Sequence, residues 1–416
     1  MKLSTLLVSS LLSGGALATA VNKAVSYDGY KVVRVAMGED NFQEVQKIIK
    51  SMDLETWKNP KKPGSHADIV VPPSQISKFD QLVGGMDTLV MHKDLGASIA
   101  GEAVVSAYKA GSADPTWFNS YHSYADHMKY LDDLHAAYPN SEVVVAGKSH
   151  QGRDIKGLHF WGSGGKGKPA AIFHGTVHAR EWISTMTVEY LAYTLTSKAG
   201  SDASIKALLD KFDFYIFPVA NPDGFVHTQT SDRMWRKNRQ PNQGGRCEGR
   251  DLNRNWPLHW NGPGSSDDPC SEQFRGYQPG DGTETKVHTA FIKSLPKAKL
   301  FIDFHAYGQM FMTPYGYDCN ARPRNDALLQ RLAQAFGTAV RGVYGTAYKT
   351  GPICRVIYQA SGSSVDWAVD AAGVETAFAA ELRDTGANGF ILPASQIKPS
   401  GEETFAGIKA LLQGLN

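Results

Sequence analysis

The stretch Ala170-Ala-Ile-Phe-His-Gly-Thr-Val-His178-Ala-Arg-Glu181-Trp182 carries the strongest structural signal in the 416-residue chain. Its first residues are apolar and predict a buried strand that ends near His174. Gly175 predicts a turn, and a helix is expected to begin around Glu181. His178 and Glu181 are three residues apart, so both side chains face one point on a first helical turn. Of the 13 histidines, only His178 is followed three residues later by Glu.

Strands of the same kind recur on both sides of this stretch. Near-continuous apolar runs predict strands at residues 143–146, 155–160, 170–173, 213–219, 300–304 and 376–380. Strands that are apolar on both sides and alternate with helices are typical of a parallel sheet covered on both faces. From about Trp117 onward we therefore expect an α/β domain with a mixed, largely parallel sheet and helices on both of its faces.

Two further residues with useful chemistry follow predicted strands. His305 ends the run Lys299-Leu-Phe-Ile-Asp-Phe-His305, and Glu381 follows Thr376-Ala-Phe-Ala-Ala. Active sites of open α/β sheets form at the carboxyl ends of strands, so we expect these two residues to lie near His178. Two imidazoles and a carboxylate are the ligands of one class of catalytic zinc, and a buried carboxylate beside zinc is typical of metal-assisted hydrolysis.

The residues alone leave simpler interpretations open. His178 and Glu181 could form a chance surface turn, His305 could be a hydrogen-bonded core histidine, and Glu381 could pair with the nearby Arg383.

The first 20 residues have the layout of a secretory signal peptide. Lys2 precedes an apolar run from Leu3 to Leu17, and small residues at positions 16–20 offer a cleavage site. Residues 31–92 predict a small β-α-β-α-β unit with its own apolar faces and no catalytic constellation. A helical connector at residues 96–109 and a small, polar segment at residues 110–115 follow, and proteases cut at such segments. We therefore expect an exported chain with a separate N-terminal module on a cleavable linker.

Composition and motifs exclude several other classes. Lys and Arg number 43 against 41 Asp and Glu, a formal charge of +2, and no basic stripe for nucleic acid occurs outside residues 58–62. No internal apolar run approaches the roughly 20 residues of a membrane span. Residues 162–168 nearly match a phosphate-binding loop, but Pro169 stands where a hydroxyl is required. No Gly-x-Ser-x-Gly motif of a serine hydrolase occurs.

The four cysteines favour disulfides in an exported chain, and four cysteines allow three connectivities. The nearest neighbours along the chain are Cys247 with Cys270 and Cys319 with Cys354. No Cys-x-x-Cys spacing occurs, so neither a thiolate zinc site nor a redox centre is expected.

Six motifs follow one another along the chain: Gly175-Thr-Val-His178-Ala-Arg180-Glu181-Trp182, Trp235-Arg236-Lys-Asn-Arg239, Asp251-Leu-Asn253-Arg254-Asn255-Trp256, Asp303-Phe-His305-Ala-Tyr307, Ile357-Tyr358-Gln-Ala-Ser361-Gly and Glu381-Leu-Arg-Asp384-Thr-Gly386. In order and approximate spacing they resemble the zinc metallocarboxypeptidases of the pancreatic carboxypeptidase A/B type. The residues before the linker resemble the inhibitory prosegment of that family in their layout.

The resemblance implies a zymogen in three parts. These are a signal peptide at residues 1–20, an inhibitory α+β activation prosegment at residues 21–112 and a zinc carboxypeptidase catalytic domain at residues 113–416. It further implies a secreted, extracellular monomer with one zinc ion per chain. Its substrates would be the C-termini of peptides or proteins, and an endoprotease would activate it. Neither nucleic acid nor a membrane is expected as a partner.

The resemblance also assigns roles in catalysis. His178, Glu181 and His305 would hold zinc, and Asp251 would accept the other N–H of His178. Glu381 would serve as general base and then general acid, and Arg236 would stabilise the oxyanion. Residues that would contact the substrate are Arg180, Asn253, Arg254, Tyr307, Tyr358 and Val365. Two disulfides, Cys247–Cys270 and Cys319–Cys354, would pin one loop after Arg239 and one beside Tyr358.

Specificity depends on residue 365. Family members that remove Lys or Arg carry an acid deep in the side-chain pocket, and Val365 stands at that position, flanked by Ile353, Ile357 and Ala360. An apolar floor cannot compensate the desolvation of a cationic side chain, so we expect a preference for aromatic or large aliphatic C-terminal residues. The small Ala379 would leave room for the bulkiest of them.

Two alternatives remain at this stage. Asp366 follows Val365 directly, so a register shift would predict a B-type enzyme that selects C-terminal Lys or Arg. The second alternative is a non-catalytic, carboxypeptidase-like binding protein, whose signature would be the loss of a metal ligand or of Glu381. Neither is lost in this chain.

Overall fold

The computed structural model of the protein describes residues 24–60, 62–102, 108, 111, 113–245, 247–295 and 297–415. The predicted signal peptide at residues 1–20 lies outside them, as do much of the predicted connector and residue 112 at the predicted domain boundary. We call residues 24–102 the N-terminal module and residues 113–415 the main domain.

The N-terminal module is built on one antiparallel sheet. Its described elements are β1 (Lys31–Met37), α1 (Phe42–Ser51), β2 (Glu55–Lys58), β3 (Ser65–Val71), α2 (Ile76–Leu82), β4 (Thr88–His92) and α3 (Leu95–Glu102). The strand order is β2-β3-β1-β4. Val45, Ile48 and Ile49 recur at helical spacing on α1 and are buried against β1 and β3. The sequence prediction missed β2, because four residues are too short to show an alternating pattern.

The main domain alternates strands and helices. Its described strands are β5 (Ser141–Lys148), β6 (Asp154–Phe160), β7 (Ala170–Gly175), β8 (Asp213–Phe217), β9 (Ala298–His305), β10 (Met310–Thr313), β11 (Lys349–Pro352) and β12 (Thr376–Glu381). The helices are α4 (Tyr124–Ala137), α5 (Trp182–Ser197), α6 (Ala203–Lys211), α7 (Pro222–Thr230), α8 (Thr283–Ser294), α9 (Asp326–Tyr344), α10 (Ile353–Val356), α11 (Ser364–Asp370) and α12 (Ile397–Gly414).

In the part of the chain that the structure describes, these strands form an eight-stranded sheet in the order β11-β10-β12-β9-β7-β8-β6-β5. Its centre, β12-β9-β7-β8, is parallel, whereas β5, β6 and the pair β10–β12 run antiparallel. The predicted mixed, largely parallel sheet is confirmed. The short strands β10 and β11 were not predicted, and β11 (Lys-Thr-Gly-Pro) ends in Gly and Pro, which disfavour strands.

Each face of the sheet is covered by helices. Ala171 and Phe173 of β7 face a core shared with α4, α5, α6, α9 and α12. The alternate residues Ala170 and Ile172 face a second core with α8 and α11. This period of two is expected of a strand that is buried on both faces.

The carboxyl ends of β7, β9 and β12, three of the four parallel central strands, meet at one edge. His305 and Glu381 are the last residues of β9 and β12 and are paired in register. β7 ends at Gly175, where a Cβ atom would lie 2.9 Å from the carbonyl oxygen of Pro218 and 3.0 Å from that of Ser184. Only glycine fits this turn, which leads the chain to His178 and then into α5.

Two disulfides join loops of the main domain, Cys247 to Cys270 and Cys319 to Cys354, which is the predicted pairing. Within the ranges given above, no helix is long and apolar enough to cross a membrane.

Candidate metal centre

Three donor side chains converge at the carboxyl edge of the sheet. His178 Nδ1 lies 2.9 Å from Glu181 Oε1, and His305 Nδ1 lies 3.0 Å from Glu181 Oε2. The two Nδ1 atoms are 3.1 Å apart, and all three residues are buried. The candidate ligand atoms of the three residues lie within 4.8 Å of one another. Two imidazole nitrogens facing one carboxylate fit a zinc ion that keeps a further position open for water or substrate.

Each histidine has a buried aspartate on its far side. His178 Nε2 lies 3.2 Å from Asp251 Oδ1, which is the partner expected for this histidine. His305 Nε2 lies 3.1 Å from Asp303 Oδ2. Sequence reasoning did not assign a role to Asp303. The signal was present, since Asp303 and His305 are two residues apart on one strand and therefore share a face.

Electrostatics favour charged carboxylates in this cluster. Burial alone would raise the pKa of Glu181, but His178 and His305 outweigh it and lower that pKa. Burial would also raise the pKa of Asp251, yet Arg236 and His178 hold it well below its ordinary value. An anionic carboxylate is the form in which Glu181 can bind a metal ion.

Glu381 differs from these carboxylates. It lies beside the cluster, and its Oε2 is buried without a hydrogen bond to any residue that the structure describes. Burial, with a smaller contribution from Glu181, raises the pKa of Glu381 to about 8, against the opposing effect of His305 and Arg236. A carboxyl group with a raised pKa and no fixed partner can accept and return a proton near neutral pH.

Arg236 lies beside the donor cluster, within reach of two of its carboxylates. Its Nη2 donates to Asp251 Oδ2 at 2.8 Å, and its Nη1 is 3.9 Å from Glu181 Oε1. The guanidinium is therefore fixed by Asp251 next to the point where the donor atoms converge.

The predicted substrate-binding residues Asn253, Arg254 and Tyr358 lie together. Arg254 Nη2 donates to the Tyr358 hydroxyl at 3.1 Å, and Arg254 Nη1 donates to the carbonyl oxygen of Asn253 at 2.8 Å. The Asn253 side chain is 3.3 Å from His305 Nε2, so these residues border the donor cluster.

Val365 lies on α11 in a buried apolar cluster with Trp256, Met312, Ile353 and Ala379, and Ile357 packs at its margin. The neighbouring Asp366 has a different environment: its carboxylate accepts backbone N–H bonds from Gly316 and Tyr317 at 3.0 Å. Ala360, which was also expected beside Val365, is buried and donates its N–H to the carbonyl oxygen of Gly316.

The N-terminal module lies against this edge. The Tyr307 hydroxyl donates a hydrogen bond to Asp68 of β3. Arg34 of β1 binds the same carboxylate through Nε at 2.7 Å and Nη2 at 2.8 Å. Its Nη1 donates to the carbonyl oxygen of Thr385 at 2.6 Å. The next residue is Gly386, with a φ of +107°, where a Cβ atom would lie 1.8 Å from Arg34 Nη2 and would displace this guanidinium.

Further contacts extend this interface. The Trp57 ring packs edge-on against Phe390, with ring centroids 5.3 Å apart. Arg180, predicted to contact substrate, has its Nη1 3.8 Å from Glu55 Oε1 and 3.3 Å from Glu272 Oε2. Arg233 and Glu102, both buried, form a bidentate ion pair at 2.7 and 2.9 Å. None of Arg34, Asp68, Glu102 and Arg233 was singled out from the sequence.

Comparison with known proteins agrees with this geometry. A family model described as zinc carboxypeptidase matches residues 127–407, and one described as carboxypeptidase activation peptide matches residues 35–102. The chain therefore belongs to the zinc carboxypeptidase family, as its motifs predicted. More specifically, it is a zymogen of the metallocarboxypeptidase A type with an activation peptide in its N-terminal module.

The relatives cover nearly the whole chain. Metallocarboxypeptidase A of Trichophyton rubrum is 56% identical over 415 residues, which are 97% of this chain and 98% of that protein. Carboxypeptidase A2 of Mus musculus is 40% identical over 368 residues, 87% of each chain. Among solved structures, thrombin activatable fibrinolysis inhibitor has a TM-score of 0.87 at 27% identity and covers 92% of this chain and 98% of its own. Carboxypeptidase A from Helicoverpa armigera has a TM-score of 0.81 at 29% identity, with coverage of 94% and 98%.

Proposed function

We propose that the protein is a secreted zymogen of a zinc-dependent exopeptidase that hydrolyses the C-terminal peptide bond and prefers aromatic or large aliphatic C-terminal residues. This proposal is carried by the convergence of His178, Glu181 and His305 beside Glu381, whose Oε2 has no hydrogen-bond partner among the described residues. A single zinc ion per chain, held by the three converging donors, would supply a Lewis acid for the scissile carbonyl and for water.

Glu381 is the group that moves the proton. It takes a proton from the attacking water and returns it to the nitrogen of the leaving amino acid, so no separate acid is required. Arg236, held by Asp251, donates hydrogen bonds to the negative charge that develops on the carbonyl oxygen. Asp251 also accepts the proton on Nε2 of His178, which keeps Nδ1 free as a donor to the metal.

The substrate is recognised by its terminal carboxylate. Arg254, supported by Asn253, offers a planar set of N–H donors that suits a carboxylate. Tyr358, which already contacts Arg254, closes over the bound residue. Arg180 and Tyr307 contact the peptide further upstream.

The terminal side chain enters the apolar cluster around Val365. Because Asp366 is engaged by the backbone of Gly316 and Tyr317, the pocket lacks a free carboxylate from this helix. A cationic side chain would then lose its hydration without compensation, whereas an aromatic side chain gains by burial. This supports the A-type preference over the B-type alternative.

The N-terminal module accounts for latency. We infer that Asp68, Arg34 and Trp57 occupy the approach that a peptide would take past Tyr307. The proposed parts are a signal peptide at residues 1–20, a prosegment at residues 21–112 and a catalytic domain at residues 113–416. An endoprotease that cuts near the boundary would free the site. We expect the active form to be an extracellular monomer, which size-exclusion chromatography with light scattering would test.

The first experiment compares the full-length chain before and after limited trypsin treatment. Release of Phe and of Arg from paired blocked dipeptides is measured with and without a zinc chelator. Chelator-sensitive release of Phe, appearing only after a cut near Lys109, is the expected result. Preferential release of Arg would contradict the assignment of the pocket. No release from protein that holds zinc would favour the binding-protein alternative.

A further inference from the structure

The two histidines of the metal centre are oriented in the same way. Each directs Nδ1 toward Glu181, and each directs Nε2 toward a buried aspartate, at 3.2 Å for Asp251 and 3.1 Å for Asp303. Asp303 is fully buried in the sheet, and a buried carboxylate requires a hydrogen-bond or ion-pair partner. His305, two residues further along the same strand, is such a partner.

The protonation state of His305 follows from its neighbours. If Nδ1 supplies a lone pair to the metal, the neutral ring carries its proton on Nε2, and that proton requires an acceptor. The nearby atom of Asn253 is its amide nitrogen Nδ2, 3.3 Å away, which cannot accept a hydrogen bond. The amide oxygen of Asn253 faces away from His305, because it accepts the N–H of Ser364 at 2.9 Å. Asp303 Oδ2 is the remaining acceptor within reach among the residues described.

Ser364 holds this carboxylate in place. Its hydroxyl donates to the same Oδ2 atom of Asp303 at 2.5 Å, while its backbone N–H holds Asn253. Ser364 is also the first residue of α11, the helix that carries Val365. One chain of contacts therefore runs from His305 through Asp303 and Ser364 to Asn253 and to the pocket helix.

We propose that Asp303 is a positioning residue for zinc binding, which fixes the tautomer and ring orientation of His305 and, through Ser364, joins this ligand to the helix of the specificity pocket. The inference rests on the zinc site of the proposed function. A hydrogen bond to a carboxylate also makes an imidazole a better donor, and it is strong in a buried site. The arrangement gives His305 the same support that Asp251 gives to His178.

The test is the zinc affinity of the full-length chain, measured by competition with a chromophoric chelator. Asp303→Asn keeps the size of the side chain and removes its charge. We expect zinc to bind about 10- to 100-fold more weakly, the range for loss of such a partner. The matched control is Asp213→Asn, since Asp213 is a buried aspartate 3.2 Å from His159 Nε2 in a pair outside the metal centre. The zinc affinity of this control should differ by less than about twofold from that of the unmodified chain. This change is much smaller than the change of about tenfold or more expected when a metal ligand loses its hydrogen-bond partner.

A double variant separates positioning from general damage. On a His305→Ala background, Asp303→Asn should change zinc affinity by less than about threefold, because coupled residues are not additive. If Asp303→Asn reduces zinc affinity equally on both backgrounds, the inference is wrong. It is also wrong if the zinc affinity of the single variant Asp303→Asn is within about threefold of that of the unmodified chain.

Two further measurements keep the inference falsifiable. If Asp303→Asn does not fold, Ser364→Ala is used in its place, because it removes only the hydroxyl that holds the Asp303 carboxylate. We expect Ser364→Ala to weaken zinc binding about threefold or more. Unchanged zinc binding in this variant would contradict the inference. The proposed function is judged separately by His178→Ala. If that variant binds zinc normally, the site itself is wrong; if it loses zinc while Asp303→Asn does not, only the role of Asp303 is wrong.

Discussion

The hydroxyl of Tyr307 donates a hydrogen bond to the carboxylate of Asp68, so a residue two positions after the metal-centre histidine His305 is held by the N-terminal module. Asp68 is fully buried, Arg34 also binds its carboxylate, and His66 Nε2 lies 3.9 Å from Asp68 Oδ2. The contact joins the two parts of the zymogen at the point where a peptide would approach the metal centre.

Removal of this contact should activate the uncut chain. Asp68→Ala deletes the acceptor of Tyr307 and leaves Arg34 without its carboxylate. We expect the uncut variant to release Phe from a blocked dipeptide about tenfold faster or more, because about 1.4 kcal/mol of lost docking free energy changes the open fraction tenfold. The control is Asp80→Ala, which removes the exposed partner of Lys31 in the same module. An uncut Asp68→Ala variant as latent as the unmodified zymogen would contradict the blocking role.

Substitutions of Glu381 and of Glu181 should have different effects, the first on catalysis and the second on metal binding. Glu381→Gln removes the proton acceptor without touching the three converging donors, so zinc content should be unchanged while kcat falls about 10²- to 10⁴-fold. Glu181→Gln removes a ligand, so zinc should be lost on dialysis. Metal analysis and dipeptide hydrolysis are measured on the same cut samples. A Glu381→Gln enzyme that turned over normally would show that another group moves the proton.

The pocket assignment predicts a change of specificity. Val365→Asp places a carboxylate in the apolar cluster, where it can compensate a cationic side chain. The ratio of kcat/KM for Arg over Phe should rise at least about tenfold, a change of about 1.4 kcal/mol in relative transition-state binding. Val365→Leu is the control, since it keeps the cluster apolar. If Val365→Asp folds and the ratio does not change, residue 365 is not part of the pocket.

Part of this picture could be predicted from the sequence, and particular residues show why. Long apolar runs placed His305 and Glu381 at strand ends, and the sheet pairs them in register. The four-residue strands β2, β10 and β11 carry too few residues for a pattern. The pair Glu102 and Arg233 is 131 residues apart along the chain, so only the docked structure brings it together. Asp303 and Asp68 stand as charged residues inside apolar strands, a signal that sequence reasoning left unused.

Acid should weaken the docked N-terminal module through His66. Burial, with the nearby Lys58 and Arg34, lowers the pKa of His66 to about 4, while Asp68 opposes the shift. An unfolded histidine has a pKa near 6.5, so the stabilising effect of neutral His66 is present above about pH 6.5 and is lost as the pH falls towards 4. His66→Gln should flatten this part of the pH dependence of the thermal midpoint. His150→Gln, an exposed histidine of the main domain, is the control and should leave the slope unchanged. An identical slope in both variants would contradict the role of His66.

The pair of Glu102 and Arg233 should retain the N-terminal module after cleavage. Glu102 is the last residue of α3. Arg233 also donates to the carbonyl oxygens of Arg180 and Phe390, and its guanidinium carbon lies 3.8 Å from the Trp182 ring centroid.

Loss of one partner of a buried pair costs about 3–5 kcal/mol, because the other charge stays buried without compensation. In Glu102→Gln, activity should therefore appear at least about 100-fold faster after limited cleavage, since each 1.4 kcal/mol is a factor of ten. Stopped samples assayed for release of Phe give the rate, and Glu44→Gln, an exposed acid of α1, is the control. Equal rates in the three proteins would show that loss of this pair does not limit the release of the module.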